Sequence, residues 1–158
     1  MTVRLRFVTC NDQVSALIRW AEDFWASHVE AVVGDGYLGA HADGGVLVRP
    51  VGYDRAILVR EEFVDVPADA AAAQTFEHYL RAHLGEPYDF AAIFGFVLRD
   101  DMHAKAHAIC SALQTDALIA SRLARDLPLP SYQISPRDLR LYLAGIAPAP
   151  PLPSLRAA

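Results

Sequence analysis

The chain has 158 residues, 53% hydrophobic and 21% charged, the balance of a folded domain rather than of a disordered polymer. Its net charge is -5 and its 14 Lys and Arg are scattered, so it has no basic footprint for a nucleic-acid backbone. No apolar run reaches the roughly 18 residues of a membrane span, and the opening MTVRLRFVTC alternates charged with apolar residues where a signal peptide would be continuously apolar. We therefore expect one soluble, cytoplasmic domain over residues 1–147, followed by a proline-rich flexible tail over 148–158.

Val3, Leu5 and Phe7 fall on one side of a period-2 pattern and Arg4 and Arg6 on the other, which predicts a half-buried first strand. Asn11 or Asp12 can cap a helix over about 13–25, whose Val14, Leu17, Ile18, Ala21 and Trp25 would face the core. A strand from Ser27 to Val33 then meets Gly34-Asp35-Gly36, glycines suited to a tight hairpin. Further strands are expected at 37–42 and 46–51, with one or two more over 56–66, all antiparallel neighbours in a meander.

After Pro67 the pattern changes to an alanine-rich helix over 68–84 that stops at Gly85. Gly85 to Asp89 reads as a loop and Phe90 to Leu98 as an apolar helical segment. A longer helix is expected from Cys110 to Arg125, with Leu113, Ala117, Leu118, Ala120 and Leu123 inward. Ser135 followed by Pro136 caps a last short helix ending near Leu143. Strands first and helices after them make this an α+β domain.

A thiol is a nucleophile near neutral pH only where something favours its thiolate, and a helix N-terminus or a neighbouring imidazole does so. The two cysteines, Cys10 and Cys110, read as free thiols, and Cys110 has the helix context. Its backbone N–H would also face an oxyanion formed on the carbon it attacks. Of the six histidines, His78 and His83 lie on the alanine-rich helix and read as surface residues. His103 and His107 have an i, i+4 spacing that could hold zinc, but no Glu base lies between them and no third ligand is near, so we expect no metal and no cofactor.

His28 opens a strand and shares a face with Glu30 and Val32. A His and a Glu on one face can simply be the solvent side of a sheet. If the hairpin centres on Gly34-Asp35, however, His28 lies across from His41, and a second imidazole can orient the first. Cys110, His28 and His41 would then supply nucleophile, base and orienter.

These segments together resemble the circularly permuted NlpC-type papain-like proteins, relatives of the lecithin retinol acyltransferase group. The carriers are Leu17-Ile18-Arg19-Trp20 leading to Ser27-His28-Val29-Glu30, then Leu38-Gly39-Ala40-His41 with Gly44-Gly45-Val46, Gly85-Glu86-Pro87-Tyr88-Asp89, and Cys110-Ser111-Ala112-Leu113. The resemblance spans about residues 14–142 and implies a papain-like α+β fold whose histidine strand precedes its cysteine helix. It implies Cys110 as nucleophile, His28 as base, His41 or Glu30 as the third residue, and Tyr88 lining a substrate groove, with Glu30 the other candidate for substrate contact. Ile109 stands where many unpermuted cell-wall peptidases carry an Asp, which leaves stem-peptide specificity open.

Three functions follow as expectations. The first is a thiol hydrolase that cleaves an amide bond in a peptide or cell-wall fragment through an acyl-enzyme on Cys110. The second is an acyltransferase or lipid thioesterase using the same site, with Phe90, Ile93, Phe94 and Phe96 as an acyl groove. The third is a non-catalytic binding module that keeps the fold. Substrate identity and oligomeric state are not legible.

Overall fold

A computed structural model describes residues 1–87 and 110–146 of the chain. Tyr88, the Phe90–Leu98 segment, His103, His107 and the proline-rich tail lie outside the described residues. Within them the domain is α+β. A five-stranded antiparallel sheet in the order β4-β3-β2-β1-β5 is built from β1 (Thr2–Cys10), β2 (His28–Val33), β3 (Gly36–His41), β4 (Gly45–Pro50) and β5 (Leu58–Pro67). The helices are α1 (Gln13–Glu22), α2 (Ala70–Ala82), α3 (described from Cys110 to Ala120) and α4 (Pro136–Ala144). None of the described helices is long and apolar enough to cross a membrane.

Strands β1 to β4 form the expected meander, but β5 departs from it. Instead of extending the sheet beside β4, it returns to the opposite edge and pairs with β1 from Thr2↔Pro67 to Cys10↔Leu58. That register stacks Val64 and Val66 with Val3 and Leu5 on the core face, while Arg4 meets Asp65 on the other. Apolar burial decides the placement, since the Arg4–Asp65 pair is exposed and such pairs contribute only about 0–1 kcal/mol.

Three helices close as their sequences direct. Asp12 caps α1 through the Ser15 N–H, Asp69 caps α2 through the Ala72 N–H, and Ser135 and Asp138 form a reciprocal capping box with Pro136 in the first turn of α4. Phe76 and Leu80 of α2, Leu113, Ala117 and Leu118 of α3, and Leu139 and Leu143 of α4 pack into one core with the inner face of the sheet. Gly85 takes a φ of +89°, which turns the chain after α2.

Two helices are shorter than their apolar patterns suggest. Helix α1 ends at Glu22 because Asp23 is left-handed at φ 48°, so Trp25 packs from beyond the helix, beneath the Arg60 guanidinium at 4.0 Å. Only Ser15 of α1 is buried, and Val14 and Ile18 instead form part of a cleft wall. Helix α3 stops at Ala120; Arg122 is left-handed at φ 59°, and the N–H groups of Leu123 and Ala124 both return to the Leu118 carbonyl.

Candidate active site

The β2–β3 hairpin places the polar residues. Its ladder pairs Ala31 with Leu38, Val32 with Tyr37 and Val33 with Gly36 across the Gly34-Asp35 turn. Continued outward, this register sets Glu30 beside Gly39 and His28 opposite His41, and the two imidazole rings lie 4.9 Å apart. Gly39 makes the room: a Cβ there would lie 3.0 Å from the Glu30 Cβ. The close approach explains a glycine in mid-strand.

Cys110, at the described start of α3, meets this hairpin edge. Its thiol is hydrogen-bonded to the His28 ring, and the backbone N–H groups of Val29 and Ser111 also point at the sulfur. One helical turn on, the Gln114 amide donates to the Leu38 carbonyl at 3.0 Å, which ties α3 to β3. Both Cys110 and Gln114 are buried, the cysteine 4% exposed.

Behind His28 stands a buried carboxylate. Glu30 Oε2 lies 3.5 Å from His28 Nε2 and 3.6 Å from His41 Nε2, ion-pair distances too long for well-formed hydrogen bonds. Glu30 Oε1 accepts from Arg6 at 2.6 Å, and Oε2 accepts from the Tyr53 hydroxyl at 3.2 Å. Arg6 also donates to Asp54 at 2.8 Å and to Glu61 at 2.7 Å, and its guanidinium lies 4.4 Å from the Tyr37 ring centroid.

Burial alone would raise a thiol and lower an imidazole. Around Cys110 it is outweighed by the charge and hydrogen bond of His28 and by the two backbone N–H groups, so the thiol is held below its usual 9.0. Burial likewise opposes charge on His28, but the charge and hydrogen bond of Cys110, and then Glu30, win and lift the ring well above 6.5. Glu30 is depressed despite its burial, because His28 and Arg6 both favour its anion. His41 goes the other way, down to about 3, through burial and the neighbouring charge of His28.

The other thiol has the opposite environment. Cys10 donates to Asp54 at 3.8 Å, and burial together with the charges of Asp54 and Asp12 pushes it up to about 11. Both cysteines are free.

A cleft of about 440 Å³ opens on the imidazoles and is lined by His28, His41, Tyr53, Asp43 and Arg49, with Val14, Ser15 and Ile18 of α1 on one wall. The residues named from sequence thus divide. Cys110, His28, Glu30 and His41 come together, whereas Tyr88 lies outside the described residues. Glu30, named for substrate contact, is 0% exposed, with Arg6 and Tyr53 already on its oxygens.

Arg6, Asp54, Tyr53 and Gln114 were not legible as part of the site. Arg6 was placed on the solvent side of β1, yet it is 1% exposed. The signal that could have found it is the pairing Arg6↔Glu30, which follows once β1 and β2 are set antiparallel with Phe7 against Val29. No protein-family model matches the chain, and no curated protein matches it in sequence.

Proposed function

We propose that the chain is a papain-like cysteine hydrolase of the permuted NlpC type, acting on an amide bond through an acyl-enzyme on Cys110. The observation that carries this reading is the hydrogen-bonded Cys110–His28 pair, with the thiol lowered and the imidazole raised by one another. A thiolate beside an imidazolium is the resting state such a reaction needs.

In this reading the Cys110 thiolate attacks the carbonyl carbon, forming a C–S bond and an oxyanion. The oxyanion collapses, the C–N bond breaks, and the leaving amine takes a proton from the His28 imidazolium. Neutral His28 then removes a proton from water, which attacks the thioester; the C–S bond breaks and a carboxylic acid leaves. Glu30 is the positioning residue, since Arg6 anchors its Oε1 while its Oε2, which also accepts from Tyr53, faces the His28 Nε2. His41 packs on the same carboxylate as a neutral ring.

The burial of Cys110 favours a second reading, a binding module whose thiol is a core residue. Alkylation by iodoacetamide at about pH 6 separates the two. The hydrolase reading expects Cys110 to be labelled far faster than Cys10, and expects His28→Ala to remove that advantage. Equal, slow labelling of both thiols would establish the module instead. Among substrates, turnover of fatty-acyl esters rising with chain length would move the assignment from amidase to acyl transfer.

A further inference from the structure

The two imidazoles do more than flank a thiol. The Nε2 atoms of His28 and His41 are both buried and, among the described residues, neither has a hydrogen-bond partner. Leaving a buried polar atom unpaired is unfavourable, and here two such atoms aim at one carboxylate oxygen. One ring nitrogen of His28, one of His41 and a Glu30 oxygen all lie within 4.8 Å of one another.

The spacing suits an ion at their centre. Ligands about 2.0–2.1 Å from a tetrahedral ion sit about 3.3–3.4 Å from each other. The separations of 3.5 and 3.6 Å from Glu30 to the two rings need shifts of only tenths of an ångström to reach that edge length. Two imidazoles and one carboxylate select a zinc-like ion over calcium or magnesium, which prefer all-oxygen shells. The surroundings tolerate added positive charge, because the single Arg6 guanidinium faces three carboxylates, Glu30, Asp54 and Glu61. Arg6 holds Glu30 Oε1, as the outer partner of a metal-binding carboxylate does, and leaves Oε2 for the ion once the long Tyr53 bond yields. His28 and His41 both line the cleft, which supplies the entry path.

We propose that His28, Glu30 and His41 form a binding site for a divalent transition ion of the zinc class, and that filling this site silences Cys110. Binding displaces any proton on His28 Nε2 to solvent. The ring keeps its Nδ1 proton, but giving that proton to a leaving group would create an imidazolate, so the ring can no longer shuttle protons for the thiol. The silencing rests on the thiol reading above, whereas the ion site stands without it.

The full chain, stripped with a chelator and dialysed, is titrated with Zn²⁺ by calorimetry and with Co²⁺ by visible absorption. One ion per chain is expected, with the intense band of tetrahedral cobalt. His41→Ala should weaken zinc binding by at least about 10-fold, the loss that even outer-shell changes produce. The double variant His103→Ala/His107→Ala should leave binding unchanged, and His41→Gln serves as the loss variant if circular dichroism shows His41→Ala unfolded. Unaltered binding in the folded His41 variants, or loss in the His103/His107 variant, overturns the site.

Saturating zinc should slow Cys110 alkylation several-fold in the wild type, reversibly with chelator, and not in the His41 variant. Fast labelling that ignores bound zinc overturns the silencing. Slow labelling before any zinc is added overturns the thiol reading and the silencing together, while the cobalt spectrum and stoichiometry still decide the ion site.

Discussion

Replacing Glu30 by Gln removes one negative charge from behind His28 while keeping the shape of the side chain. Two unit charges about 4 Å apart interact by about 4 kcal/mol at an effective dielectric near 20. The Glu30 Oε2 to His28 Nε2 separation is 3.5 Å, and each charge is spread over two atoms, so roughly half that value, about 2 kcal/mol, is the useful figure. It corresponds to a fall of about 1.5 units in the His28 pKa. The imidazolium then loses its proton at lower pH, while the thiol keeps the same stabilising neighbours, His28 and the backbone of Val29 and Ser111.

The window in which thiolate and imidazolium coexist therefore narrows from the alkaline side. Alkylation of Cys110 by iodoacetamide, followed against pH in metal-free protein, measures it, with ultraviolet thiolate absorbance as a second readout. Arg6 retains Asp54 and Glu61 in the variant, so stability should fall by about 3 kcal/mol, the lower end for breaking a buried pair. A folded Glu30→Gln protein whose alkylation profile superimposes on the wild type would refute the positioning role of Glu30.

Arg6→Ala should cost about 3–5 kcal/mol by urea unfolding, because Glu30 and Asp54 are left buried without their cation; a loss under about 1 kcal/mol would mean that water takes its place. The depressed Glu30 carboxyl contributes stability that is fully present above its usual 4.5 and is lost as pH falls through the lower folded value, so the wild-type urea midpoint should drop in that acid range. Glu30→Gln should flatten this dependence. Gly39→Ala places a methyl 3.0 Å from the Glu30 Cβ and should destabilise by about 1–3 kcal/mol while slowing Cys110 alkylation. Normal alkylation in that variant would show that Glu30 can shift without disturbing His28.

Local features of the chain were legible because local rules set them. The alternation in β1, the Gly34-Asp35 turn that faces His28 with His41, the Gly85 stop after α2 and the Ser135-Pro136 start of α4 each depend on residues a few positions apart. The third member of the candidate site was not decidable in this way. His41 and Glu30 are both near His28 in any hairpin of this register, and only the Arg6 guanidinium from the neighbouring strand β1 distinguishes the charged partner from the neutral ring.

The amino-acid order by itself determined the strands, their turns, the helix caps and the candidacy of Cys110 and His28, since periodicity, positive-φ glycines and capping side chains act over one or two turns of backbone. Tertiary structure alone decided that β5 crosses to pair with β1, that α1 borders a cleft instead of the core, and that Arg6 is buried against Glu30, Asp54 and Glu61. The physical reason is that burial and charge pairing are properties of an enclosed volume. An arginine on an alternating strand is solvated or enclosed according to what residues 24 to 55 positions further along the chain bring over it.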